Sequence, residues 1–125
     1  MTAPRSTYDR LLAAALAYPE AQLVHVEAWG DHPTLRVRGK NFVFFDHDAT
    51  HLSVKLSREE AAAVVASDAR AEPASYGLGR HGWVAVTLPK TMSDKAWTEV
   101  AEWVETSYRL VAPKTLVKQL DEHPG

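Results

Sequence analysis

The chain has 125 residues, 46% of them hydrophobic and 24% charged, enough for one globular domain with one core and too few for two. A formal net charge of -2 and a pI of about 6.3 argue against a protein that coats nucleic acid non-specifically, because such proteins are basic overall. The absence of Cys excludes disulfides, thiolate zinc sites and Cys nucleophiles. No apolar run has the length of a membrane span, and "MTAPRSTYDR" has no apolar stretch behind a basic end, so the expectation is a cytoplasmic protein with no membrane partner.

Ser6 stands before "TYDRLLAAALAY", in which Leu11, Leu12, Ala15 and Leu16 recur at helical spacing until Pro19. "LVHVEAW", Leu23 to Trp29, reads as a strand, followed by the turn signal "GDHP". Thr34 to Arg38 alternates strictly, Gly39-Lys40 suits a two-residue hairpin loop, and Asn41 to Asp46 returns as the partner strand. His51 to Leu56 alternates again, with Leu52, Val54 and Leu56 against Ser53 and Lys55. Ser57 and Glu60 form a capping-box pattern ahead of a helix from Arg58 to about Ser67. "DARAEPASYGLGRHG" reads as a connecting loop, and Trp83 to Leu88 as the last strand. Ser93 or Asp94 caps a helix to about Val111 whose apolar stripe is Trp97, Val100, Ala101, Val104 and Tyr108; a short helix follows Pro113.

The order α-β-β-β-β-α-β-α-α, with neighbouring strands instead of strict βαβ alternation, predicts an α+β two-layer sandwich. Its antiparallel five-stranded sheet carries helices on one face and leaves the other at least partly open.

"YGLGRHGWV" spells G-x-G-x-x-G with Gly77, Gly79 and Gly82. A dinucleotide fingerprint needs a strand before the glycines and a helix N-terminus after them, which supplies the N–H groups for the pyrophosphate. Here a loop precedes and a strand follows, and the acids about twenty residues on, Glu99 and Glu102, fall within a helix. The nucleotide reading is rejected, and no cofactor is expected. The glycines allow sharp turns that present Arg80 and His81, and the loop's N–H groups with Arg80 remain a candidate seat for one phosphate.

"WGDHPTLRVRGKNFVFF", "LSVKL", "GRHGWVAV" and "SYRLVAPK" occur in this order, and together they resemble the recurring blocks of the MmcQ/YjbR family of small bacterial proteins, over roughly Leu12 to Leu120. The resemblance implies a secretion-chaperone-like or frataxin-like α/β sandwich. It also implies DNA binding by two hairpins acting as a double wing, and it carries no catalytic residues onto this chain.

With a Gly39-Lys40 loop, Val37 pairs with Phe42 and Leu35 with Phe44 on the core side, while Arg36, Arg38, Val43 and Phe45 share the outer side. Arg36, Arg38, Lys40, Phe45 and Lys55, bordered by Arg80 and His81, then form a basic and aromatic patch of the kind that phosphates and bases need. The plain alternative is a solvated sheet face whose Arg and Lys stems cover Val43 and Phe45. Asp31, His32, Asp46, His47, Asp48 and His51 are metal-ligand types gathered near two loops, but turns are rich in Asp and His anyway and no compact ligand motif is present, so no metal is expected. No nucleophile elbow is found, Asp94, Glu99, Glu102 and Glu105 read as a solvated helix face, and Trp83, Trp97 and Trp103 read as packing residues, leaving Trp29 as the exposed one. The chain is therefore read as a binding module without enzymatic activity, with DNA as the leading partner and a protein partner, a second copy or a small anion as the alternative.

Overall fold

The computed structural model describes residues 6–30, 32–75 and 77–122, with Trp29 described by its backbone alone. Its elements are α1 (Thr7–Ala15), β1 (Ala21–Val26), β2 (His32–Val37), β3 (Lys40–Phe45), β4 (His51–Lys55), α2 (Arg58–Ser67), β5 (Ala71–Pro73), β6 (Trp83–Thr87), α3 (Asp94–Val111) and α4 (Lys114–Glu122), with 3-10 turns at Glu27–Trp29 and Leu78–His81. The sheet has six antiparallel strands in the order β1-β2-β3-β4-β6-β5. The α+β architecture is the expected one. The additional strand is β5, inside the segment read as a loop: three residues ending in Pro73 carry no alternation signal, and an edge position tolerates the missing N–H.

The expected caps form. Ser6 Oγ accepts from the Asp9 N–H at 3.0 Å, Ser57 Oγ from Glu60 at 3.1 Å and Ser93 Oγ from Ala96 at 3.1 Å, each satisfying a donor that the first helical turn leaves unpaired. Thr7, Leu11 and Ala15 repeat every four residues and form the buried stripe of α1. Thr7 is polar yet fully buried; its hydroxyl donates to the Pro89 carbonyl at 2.6 Å.

The core lies between one sheet face and the helices α1 and α3. Phe45 packs against Tyr8 of α1 with ring centroids 6.0 Å apart, and Phe42 meets Tyr108 of α3 edge-on at 5.4 Å. The Tyr108 hydroxyl donates to the Pro19 carbonyl at 2.7 Å, which ties α3 to the chain leaving α1.

The first hairpin departs from expectation. Its turn is Arg38-Gly39 and not Gly39-Lys40: Val37 pairs with Lys40, and Arg38 and Gly39 have φ of 51° and 79°. Two consecutive left-handed residues match the right-handed twist of a hairpin; Gly39 takes the second at no steric cost, and the match offsets the cost of a positive φ at Arg38. The register then shifts, because Arg36 pairs with Asn41 but Leu35 with Val43. Phe42 is thus the extra residue of a β-bulge. The bulge turns Phe42, Val43 and Phe45 all toward the helices, with exposures of 0%, 0% and 1%. Phe45 and Val43 do not lie on the outer side; Phe44 does.

The bulge also breaks the β3–β4 ladder, which ends at Val43–Val54. One residue further, the Phe42 carbonyl and the Lys55 N–H are bridged by Ser107 of α3. Its fully buried hydroxyl donates to Phe42 O at 2.5 Å and accepts from Lys55 N at 2.8 Å. A serine in the middle of an apolar helix stripe is explained by two backbone groups that need a partner.

Candidate sheet-face site

Cross-strand partners share a face, so the registers define what the face opposite α1 and α3 presents. A middle row runs Val24, Thr34, Phe44, Ser53, Ala85, Glu72 across β1, β2, β3, β4, β6 and β5. Two residues toward one end of the strands lie Gln22, Arg36, Asn41, Lys55 and Trp83. Two residues toward the other lie Val26, His32, His51 and Thr87, with Asp46 beside His51. The face thus grades from cationic through apolar to acidic and imidazole-bearing. Rows two residues apart are separated by about 7 Å.

In the cationic row Arg36 and Lys55 are half-buried. Arg36 Nε donates to the Thr34 hydroxyl at 3.3 Å, and the hydroxyl passes its own proton to the Val24 carbonyl at 2.8 Å, so the base of the Arg36 side chain is fixed. Among the described residues neither Arg36 nor Lys55 forms an ion pair. Arg38 differs. It makes a two-pronged pair with Glu20 at 2.7 and 2.8 Å, which lowers the Glu20 carboxyl below its usual range. Its charge is spent locally at the turn.

Phe44 and Trp83 meet edge-on on this face at 5.2 Å, with Trp83 only 8% exposed. Trp83 and Trp103 are buried as expected, whereas the Trp29 side chain lies outside the described residues. Beside the Phe44–Trp83 pair the small residues Ser53 and Ala85 floor a trough of about 830 Å³, walled by Phe44 and His32 on the sheet and by Ala74, Ser75 and Leu78 of the loop before β6. It adjoins a smaller hollow of about 160 Å³ that reaches Asp46, His51, Glu72 and Thr87.

Beside that hollow a hydroxyl, an imidazole and a carboxylate come together: Thr50 Oγ1 donates to Asp46 Oδ2 at 3.0 Å and lies 3.3 Å from His51 Nδ1, which is itself 2.8 Å from Asp46 Oδ2. A relay needs the hydroxyl on the far imidazole nitrogen from the carboxylate. Here both share Nδ1, and Asp46 also accepts the Thr50 and His51 N–H groups at 2.8 and 3.3 Å. Burial pushes the Asp46 carboxyl up, but these hydrogen bonds outweigh it and hold the group below its usual range. The set is a turn lock. The metal-type residues do not converge: Asp46 is committed to His51 and Thr50, Asp48 lies 3.9 Å from Lys90, and Asp31 lies outside the described residues. Among the described residues, no group of three or more His, Asp or Glu is placed to hold a metal ion.

The glycine loop is built for packing. A Cβ on Gly82 would stand 2.1 Å from the Leu56 carbonyl oxygen, and φ there is 90°, so only glycine fits. The N–H groups of Leu78, Arg80 and Gly82 donate to Ser75, Gly77 and Gly79 at 3.2, 3.4 and 3.2 Å. They close the 3-10 turn, so these three N–H groups are not open to an anion. Arg80 curls back toward Gly77; Arg80 and His81 are exposed, as is Lys40 at the start of β3. Of the seven expected contacts, Phe45 is in the core and Arg38 is paired, while Phe44 and Ala85 are the face residues that sequence reasoning missed. The β4 alternation contained the signal, since pairing inward Leu52 and Val54 with β3 selects Phe45 and Val43, not Phe44, for the core.

Comparison with known proteins places this geometry. The YjbR family model matches residues 16–110. The crystal structure of Deinococcus radiodurans protein DR2400, with a DUF419 family-model domain, superposes with a TM-score of 0.68 at 21% identity, over 97% of this chain and 92% of that one. At that identity the likeness shows the fold alone. No curated protein matches. Among the described residues, no helix is long and apolar enough to cross a membrane.

Proposed function

The chain belongs to the YjbR family, and from that premise we propose a binding module without catalytic activity that takes single-stranded nucleic acid on the open sheet face. The observation that carries this reading is the register: it puts Arg36 and Lys55 on the same face as Phe44, so cations for phosphates stand one row from an aromatic wall for bases. A duplex gripped by both hairpin tips is less well supported. The Arg38-Gly39 turn and the Asp46–Thr50 turn lie at opposite ends of β3, the first has its Arg paired to Glu20, and the second carries Asp46 and Asp48. The strand would run across the sheet along the cationic row, because the Asp46 end repels phosphate.

Two neutralised phosphates give weak binding whose log affinity falls against log salt with a slope of about -1.4 for a single strand. Fluorescence polarisation of a labelled single-stranded 12-mer at low salt tests this. Binding with that slope, lost in R36A/K55A and retained in R38A, is the expected result. A flat titration at low salt overturns it. The apolar trough favours a second reading, a protein partner or second copy on the same face, which light scattering separates as a dimer mass that falls when Leu78 is made Glu.

A further inference from the structure

We infer that the trough between the sheet and the loop residues Ala74, Ser75 and Leu78 is the seat of one unstacked base, which makes the protein a reader of bases and not only of backbone. This rests on the single-strand reading above and adds to it. The floor is Ser53 and Ala85, paired across β4 and β6, and their small side chains leave a flat recess where neighbouring positions of the sheet carry rings. Phe44, braced edge-on by Trp83, lines it from the sheet, and Leu78 lines it from the loop. Flat aromatic rings are retained by such apolar walls, while Ser53, Ser75 and His32 offer hydroxyl and imidazole groups to the edge of a base.

Charge fixes how a nucleotide would lie. Ser53 and Lys55 are two residues apart on one strand face, about 7 Å, the span that one sugar sets between a base and its phosphate. A base over Ser53 therefore brings its phosphate to Lys55. The reversed orientation would carry the phosphate toward Asp46, whose like charge opposes it. One end of the trough attracts the anion and the other rejects it, so the occupant is directional: a flat ring with an anionic tail on the β4 C-terminal side.

The test compares a single-stranded oligo-dT 12-mer with an abasic 12-mer of the same sugar-phosphate length, by polarisation with the full chain. Loss of one seated base predicts at least ~5-fold weaker binding of the abasic strand, with an unchanged salt slope. A85F, which fills the floor, is expected to bring oligo-dT down to the abasic affinity. Equal affinity of the two probes for the wild-type protein overturns the base seat while leaving phosphate binding in place. No binding of either probe overturns the single-strand reading itself, and the seat with it. Because the first comparison needs no variant, a poorly folded A85F does not rescue the proposal.

Discussion

Replacing Ser107 with Ala removes a single oxygen and separates α3 from two strands. The hydroxyl is fully buried and is the shared partner of the Phe42 carbonyl and the Lys55 N–H, at 2.5 and 2.8 Å. The bulge has already cost those groups their ladder partners, and the surrounding Phe42, Val54 and Val104 are at 0% exposure, so water does not take over. An unsatisfied buried backbone group costs ~1–3 kcal/mol, so two cost about 2–4 kcal/mol after partial relaxation. For a chain of this length each kcal/mol lowers Tm by roughly 3–6 °C, giving a fall of roughly 6–24 °C. Urea unfolding followed by circular dichroism measures it directly. Ser93→Ala is the reference, since it also deletes a serine hydroxyl bonded to backbone, but at an exposed helix cap where about 1 kcal/mol is at stake. If Ser107→Ala destabilises no more than Ser93→Ala, the bridge does not replace the broken ladder and this account of the bulge is wrong.

Phe45→Ala should cost ~3–5 kcal/mol of stability and Phe44→Ala less than half of that, because Phe45 is in the core and Phe44 on the open face; denaturant midpoints of the two variants check the register directly. Gly82→Ala is expected to destabilise by more than ~2 kcal/mol, since the added Cβ meets the Leu56 carbonyl at 2.1 Å and the residue has φ of 90°; near-wild-type melting would refute that packing. Hydrogen bonds from the Arg70 side chain and N–H hold the Asp68 carboxyl down at about 2, from an ordinary value of 3.8. A depressed folded-state pKa gives stability that is complete above the unfolded value and is lost as pH falls through the folded one. The stability gap between wild type and Asp68→Asn should therefore be constant at neutral pH and close between about pH 4 and 2, as read by urea unfolding at several pH values. Tyr108→Phe should cost about 1 kcal/mol by releasing the Pro19 carbonyl, seen as a small shift in the thermal midpoint.

Local chemistry was the legible part of the fold. Ser6, Ser57 and Ser93 announce helix starts because a cap is set by a few adjacent residues, and the end of α3 at Val111 follows from Pro113. Strand β5 was hidden because its existence depends on pairing with β6, not on its own three residues. The hairpin turn was misplaced by one residue because glycine suits either central position of a tight turn; here Gly39 takes the second and Arg38 the first, and Glu20, also at a positive φ of 57°, holds the Arg38 guanidinium. The cationic half of the candidate site, Arg36 and Lys55, was legible since alternation alone assigns their face. The apolar half was not, as Ser53 and Ala85 acquire meaning only when β4 and β6 are known to be neighbours.

The bulge joins these two halves. Without Phe42 as an extra residue, the strict alternation of β3 would place Phe44 with Leu35 in the core and leave Phe45 outside beside Arg36. With it, Val43 and Phe45 enter the core in place of Phe44, and Tyr8, Tyr18 and Tyr108 receive the rings of Phe45 and Phe42. Phe44 alone of the β3 aromatics is left to the open face, where it walls the trough. The same bulge orphans the backbone groups that Ser107 repairs, so one buried serine maintains the register on which the site depends. A change at Ser107 should therefore weaken binding on the open face even though the residue lies on the opposite side of the sheet. The coupling runs through strand register, and it is absent for a substitution such as Ser93→Ala that leaves β3 untouched.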